Sequence, residues 1–185
     1  CLTVALLSKN GRDVKPVLGL FFAPIPITSF PQLVGELFAP MTFLRSLTPV
    51  LLHFGELHLV FNLLWLFYFG TLLERTQPPL VVLMLYILTA FSGNVLQYYT
   101  SMSNAFGGLS GLVYGLVGYC WLLGVLAPRL GINLRVSTFA AFAIALVAME
   151  IFAGDSIASA AHLGGLLAGL AYAFVVGTYS RLKHN

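Results

Sequence analysis

Polar side chains stand inside three apolar runs, where each would be costly unless it faced a partner, a cavity or a site. His58 and Asn62 lie in HFGELHLVFN, Ser110 in FGGLSGLVYGLVG and His162 in AHLGGLLAGL. A serine hydroxyl becomes a nucleophile only with a base in hydrogen-bond reach, and an imidazole is sufficient. An amide, a second imidazole and a backbone N–H are the donors that an acyl-transfer oxyanion needs. Ser110 with His162, supported by His58, Asn62 and the Ser110 N–H, could therefore carry acyl transfer. Each cluster also has a plainer reading. His58 and Asn62 are four apart, on one helix face, and could simply bond a neighbouring helix. Gly111 and Gly115, like Gly165 and Gly169, form small-xxx-small faces that let helices approach closely. His162 alone could carry a proton. A metal site is disfavoured, because no Cys or carboxylate accompanies the histidines at ligand spacing and Glu56 stands on another face from His58.

The surroundings decide what kind of protein must position these residues. Of 185 residues, 59% are hydrophobic and 8% charged, against about 45–50% and about 25% in soluble domains. A water-soluble domain is excluded, and the class is an all-α polytopic membrane protein. The net charge of +3 comes from scattered residues with no basic run, so nucleic acid is not a partner. Cys1 and Cys120 lack metal or disulfide patterning and read as inert. No cofactor is called for.

Five segments are long enough to cross a bilayer, at 49–73, 80–99, 108–127, 136–153 and 157–179, joined by short turns rich in Pro, Gly, Ser and Asn. Residues 1–8 read as the end of a further span that starts outside the given chain, which makes six; a lipid-modified Cys1 is the competing reading. Residues 9–48 are apolar but carry Pro16, Pro24, Pro26, Pro31 and Pro40, so they cannot form a straight span and read as a long interfacial loop. The whole is one domain without internal repeats. Arg75, Arg129, Arg135, Arg181 and Lys183 fall on one side of alternating spans, against Lys9, Arg12, Lys15 and Arg45 in the long loop on the other, and their clustering in short loops makes the first side the expected cytoplasmic one. His58, Asn62, Ser110 and His162 then reach one level near the outer face.

Three motifs in order, His58-x-x-x-Asn62, Gly108-Leu109-Ser110-Gly111 and Ala161-His162-x-x-Gly165, resemble the rhomboid intramembrane serine proteases of the bacterial six-span type, from about Arg45 to the C-terminus. The resemblance implies a six-helix bundle whose first helix is cut short here. It makes Ser110 the nucleophile, His162 the base and then the acid, and His58, Asn62 and Ser110 the oxyanion partners. Gly108, Gly111 and Gly165 would support the site, and Tyr114 looks like the aromatic that packs on the catalytic imidazole. The proline-rich segment is similar to the family's first loop, with Leu44-Arg45 in place of the usual Trp-Arg. Glu74 resembles a structural carboxylate, and His53 reads as scaffold tying the loop to the 49–73 span.

Implied partners are transmembrane protein substrates and the lipid bilayer, in a bacterial inner membrane with the site opening to the periplasmic or outer side. The substrate must unwind locally, and the resemblance implies small residues beside the cut. Span 136–153 with the cap Gly154-Asp155-Ser156-Ile157 is the expected gate. Glu150 reads as a snorkelling carboxylate rather than a gate residue. Two other classes are weighed: a non-catalytic rhomboid-like binding or quality-control factor, from which Ser110 and His162 argue away, and a proton-coupled transporter, from which the missing repeat argues away.

Overall fold

The computed structural model describes residues 1–23, 27, 29–153 and 158–183, and among these there is no strand. The α-helices are α1 (Leu2–Leu7), α2 (Phe30–Leu37), α3 (Pro40–Leu47), α4 (Glu56–Thr76), α5 (Pro79–Ser101), α6 (Ser110–Leu126), α7 (Val136–Ala153) and α8 (Ser159–Leu182). α4, α5 and α8 are each long and apolar enough to cross a membrane, while α6 and the Val136–Ala145 stretch of α7 are shorter apolar helices. The chain is an all-α bundle.

α6 sits at its centre. It is apolar all round, and eleven of its residues are buried, as expected of a helix enclosed by others. Its 17 residues give about 26 Å, less than the roughly 30 Å of a hydrocarbon core. A central helix that short leaves part of that depth to the non-helical backbone that feeds it, which must then be buried in protein rather than exposed to lipid. Gly108, at φ +120°, is the last turn of that feed, so the helix starts at Ser110 and not at the expected 108.

The 49–73 span also begins elsewhere. A 3-10 turn at Thr48–Leu51, with Pro49 in its first turn, is followed by Gly55 at φ +115°, and the helix starts at Glu56. His53 therefore precedes the span instead of lying in it. α4 continues to Thr76 because Gln77, standing before Pro78-Pro79, is forced into the extended region (φ −124°, ψ 149°).

Residues 9–48 are not one loop. A 3-10 helix at Lys15–Leu20, α2 and α3 each carry a proline in the first turn, where its missing N–H costs nothing and its fixed φ suits the helix. Pro16, Pro31 and Pro40 start short helices as well as forbidding a long one. Pro24 and Pro26 lie outside the described residues. The segment is fastened to the bundle by Phe22, fully buried and stacked on Tyr98 at 4.5 Å, and by Asn104, whose amide donates to the Ala23 carbonyl at 2.7 Å and accepts from the Ala23 N–H at 3.0 Å. Asn94 donates to the Ser46 carbonyl at 2.8 Å in the same way.

Candidate active site

Ser110 opens α6, and the backbone leading to it is pinned. The Gly108 N–H donates to the Pro49 carbonyl at 3.0 Å, and a Cβ on Gly107 would sit 2.6 Å from the Leu52 side chain and 2.9 Å from the Pro49 oxygen. Phe106, two residues before Gly108, is buried near the Phe22 ring. The first N–H groups of α6, that of Ser110 included, have no intrahelical acceptor, and the helix dipole adds positive potential there.

His162 arrives on α8, which meets α6 backbone on backbone. A Cβ on Gly165 would overlap the Gly111 carbonyl, and one on Gly169 would overlap the Gly115 carbonyl. That seam brings His162 Nε2 within 2.7 Å of Ser110 Oγ. The imidazole stacks on Tyr114, with ring centroids 4.9 Å apart and planes at 24°. Its Nδ1 is buried without a hydrogen-bond partner among the described residues, so ring packing and the backbone of α8 set its orientation.

On the other side of Ser110, His58 and Asn62 of α4 close around Gly108. A Cβ there would lie 2.8 Å from His58 Nε2 and 3.7 Å from Asn62 Nδ2, so the glycine leaves the space that a reacting carbonyl would need. Asn62 Nδ2 donates one hydrogen to the His58 carbonyl at 2.9 Å, which fixes the amide and leaves its second hydrogen free to donate. Ser110, His162, His58, Asn62 and Tyr114 all line one cavity of about 910 Å³, whose far wall is Ser137, Thr138, Ala141, Phe142 and Ala145 of α7. A hydroxyl against an imidazole, with several N–H donors nearby in a cavity of this size, can carry out acyl transfer to water.

Other residues singled out by sequence lie off this centre. His53 is buried with its ring 5.2 Å from that of His58 and its Nδ1 3.3 Å from the Leu51 carbonyl. Burial, and then the nearby His58, push its pKa down to about 4. Glu56 receives a hydrogen bond from Asn10 at 3.4 Å and faces the post-α1 turn. Glu74 is exposed; a polar contact within the bundle near that end is Tyr119 donating to Gln77 Oε1 at 3.1 Å. The Glu150 side chain and the 154–157 cap lie outside the described residues. Sequence reasoning overlooks Gln97, which lines the cavity and accepts a hydrogen bond from the Ala161 N–H at 3.1 Å. Its signal is an amide in an apolar span that also carries Asn94, one turn from Gly93.

The Rhomboid domain family matches residues 40–179. A protein of Cronobacter sakazakii named Rhomboid protease GlpG homolog is 40% identical over 141 residues, covering 75% of this chain and 50% of that protein. The Rhomboid protease GlpG proteins of Yersinia pestis and Yersinia pseudotuberculosis are 42% identical over 132 residues, covering 70% of this chain and 47% of each. The chain thus spans about half the length of the curated relatives it matches.

Proposed function

The chain belongs to the rhomboid family of integral membrane proteins, and from that premise we propose that it is an intramembrane serine endopeptidase cutting transmembrane segments of other membrane proteins. The observation that carries the reading is the 2.7 Å contact between Ser110 Oγ and His162 Nε2 on the wall of the cavity of about 910 Å³ among apolar helices.

In the proposed mechanism the Ser110 hydroxyl proton passes to His162 Nε2 as Oγ bonds to the scissile carbonyl carbon. His58, Asn62 and the Ser110 N–H donate to the oxygen that becomes negative. The tetrahedral intermediate collapses, the C–N bond breaks, and the proton on Nε2 goes to the leaving amine. Water then attacks the ester, gives its proton to Nε2, and the Oγ–C bond breaks with the proton returning to Ser110. Tyr114 and Gly165 hold the imidazole, Gly111 accepts the packing of α8, and Gly108 leaves room for the carbonyl.

A helical substrate has its carbonyls bonded and shielded, so it must enter the cavity partly unwound, and small side chains beside the cut fit that path. The α7 wall is the element that moves to admit it. The basic residues at the opposite ends of the spans support an outer-facing site in a bacterial inner membrane.

Labelling of detergent-purified protein by a fluorophosphonate, compared with Ser110→Ala and His162→Ala, tests the reading. Labelling confined to the unsubstituted protein is expected. A well-folded protein that does not label would instead be a non-catalytic binding member of the family.

A further inference from the structure

A serine–histidine pair without an acidic third member has an unsolved positioning problem. In a triad the carboxylate on Nδ1 orients the imidazole; here Nδ1 of His162 is buried without a partner among the described residues. Tyr114 fixes the ring plane but not how far along the α8 axis the ring sits. That height is set by the backbone of the first turn of α8, where the N-cap residue is Ala158, which offers no side-chain bond to the free N–H groups.

We infer that Gln97 is the positioning residue for His162, acting by accepting the hydrogen bond of the Ala161 N–H and so supplying from α5 the cap that α8 lacks. The Gln97 Oε1 to Ala161 N distance is 3.1 Å, and the same N–H turns toward the Ala158 carbonyl at 3.0 Å. Ala161 is the residue before His162 and the third of the helix, the position whose N–H an N-cap serine or aspartate would normally take. The other side of this residue is clamped as well: a Cβ on Gly93 would stand 2.7 Å from the Ala161 carbonyl oxygen and one on Gly111 2.8 Å from it. Gly93 and Gln97 are four apart on α5, so one helix face both accepts the close approach and bonds the N–H. Gln97, from the cavity wall, therefore fixes the one residue through which the height of the imidazole over Ser110 is set.

The inference rests on the Ser110–His162 reading, and its test separates the two. The rate of fluorophosphonate labelling, kcat and KM on a transmembrane peptide in micelles, and thermal unfolding would be compared for the wild type, Gln97→Leu, Gln97→Glu, and Gln97→Leu combined with Ala158→Ser. Gln97→Leu keeps the side-chain bulk without the acceptor, and should slow labelling and kcat by about tenfold or more while KM stays within about twofold. Gln97→Glu restores the acceptor, and Ala158→Ser provides one from within α8; each should bring the rate back to within about threefold of wild type. If Gln97→Leu does not fold, Gln97→Asn, whose amide falls one methylene short of the Ala161 N–H, takes its place with the same expectation. Labelling and kcat at wild-type levels in the variant lacking the bond would overturn the inference. A loss confined to KM would do so too, as would a loss that neither the carboxylate acceptor of Gln97→Glu nor the Ala158→Ser cap reverses. A wild type that does not label would instead overturn the reading on which it rests.

Discussion

Two walls of the cavity are built on opposite principles. On one side α6 and α8 meet through glycines, with Gly165 against the Gly111 carbonyl and Gly169 against the Gly115 carbonyl, so the contact is backbone on backbone and cannot be relieved by a rotamer change. On the other side α7 meets its neighbours through rings: Phe139 stacks on Trp121 at 4.1 Å, and Phe142 meets Trp65, Phe69 and Tyr114 edge-on at 5.0 to 6.0 Å. Side chains can turn and repack, whereas interlocked backbones cannot. Under the proposed function the seam suits the half of the site that would hold a hydroxyl and an imidazole 2.7 Å apart, and the ring-packed wall suits the half that would admit a bulky segment.

The largest expected effects lie on the seam side. Ser110→Ala and His162→Ala should each lower cleavage by about 10⁴-fold or more while unfolding is unchanged, since residues acting as a unit lose nearly everything when either is removed. Substantial cleavage by either variant, measured on a transmembrane substrate in liposomes, would remove the chemistry from this wall. Gly165→Val drives a branched side chain into the Gly111 carbonyl; it should cost about 1–3 kcal/mol of stability or more, and cleavage should fall at least as far as for a lost oxyanion donor. A neutral result in thermal unfolding would show that the seam yields after all. Asn62→Ala removes one donor and leaves the packing, so turnover should fall by up to about 10²-fold with unfolding nearly unchanged. An unaltered kcat would leave Asn62 as the partner of the His58 carbonyl and nothing more.

The two walls also differ in how legible they are in the sequence. The seam residues and the polar side chains of the site can be read because glycines at four-residue spacing and amides or imidazoles in apolar runs are exceptional in themselves. Reading the wall is harder: α7 is apolar all round, and no periodicity says which of its faces meets Trp121 and which the cavity. Helix starts are misplaced where a left-handed glycine intervenes, at Gly55 before α4 and Gly108 before α6, because a glycine does not announce its φ. Pro16, Pro31 and Pro40 read as breakers yet also open helices, since the same fixed φ serves both purposes. Gln97 escapes because its partner is a backbone N–H 64 residues away, a contact that belongs to the fold and to no motif.

A smaller effect is expected in the ring-packed wall. Phe139 stacks on Trp121 and does not line the cavity, so Phe139→Ala loosens the wall without touching the reacting groups. The lost ring pair should cost about 0.5–1.5 kcal/mol beyond its buried area. A small fluorophosphonate needs only the seam side, and its labelling of Ser110 should stay within about twofold of wild type. In the proposed mechanism a transmembrane substrate also displaces α7, so its kcat/KM should change by several times more than the labelling rate does. If both rates move together, loosening α7 disturbs the Ser110–His162 pair as well. The two walls would then be one mechanical unit, with the Tyr114 ring, which touches both His162 and Phe142, as the link between them.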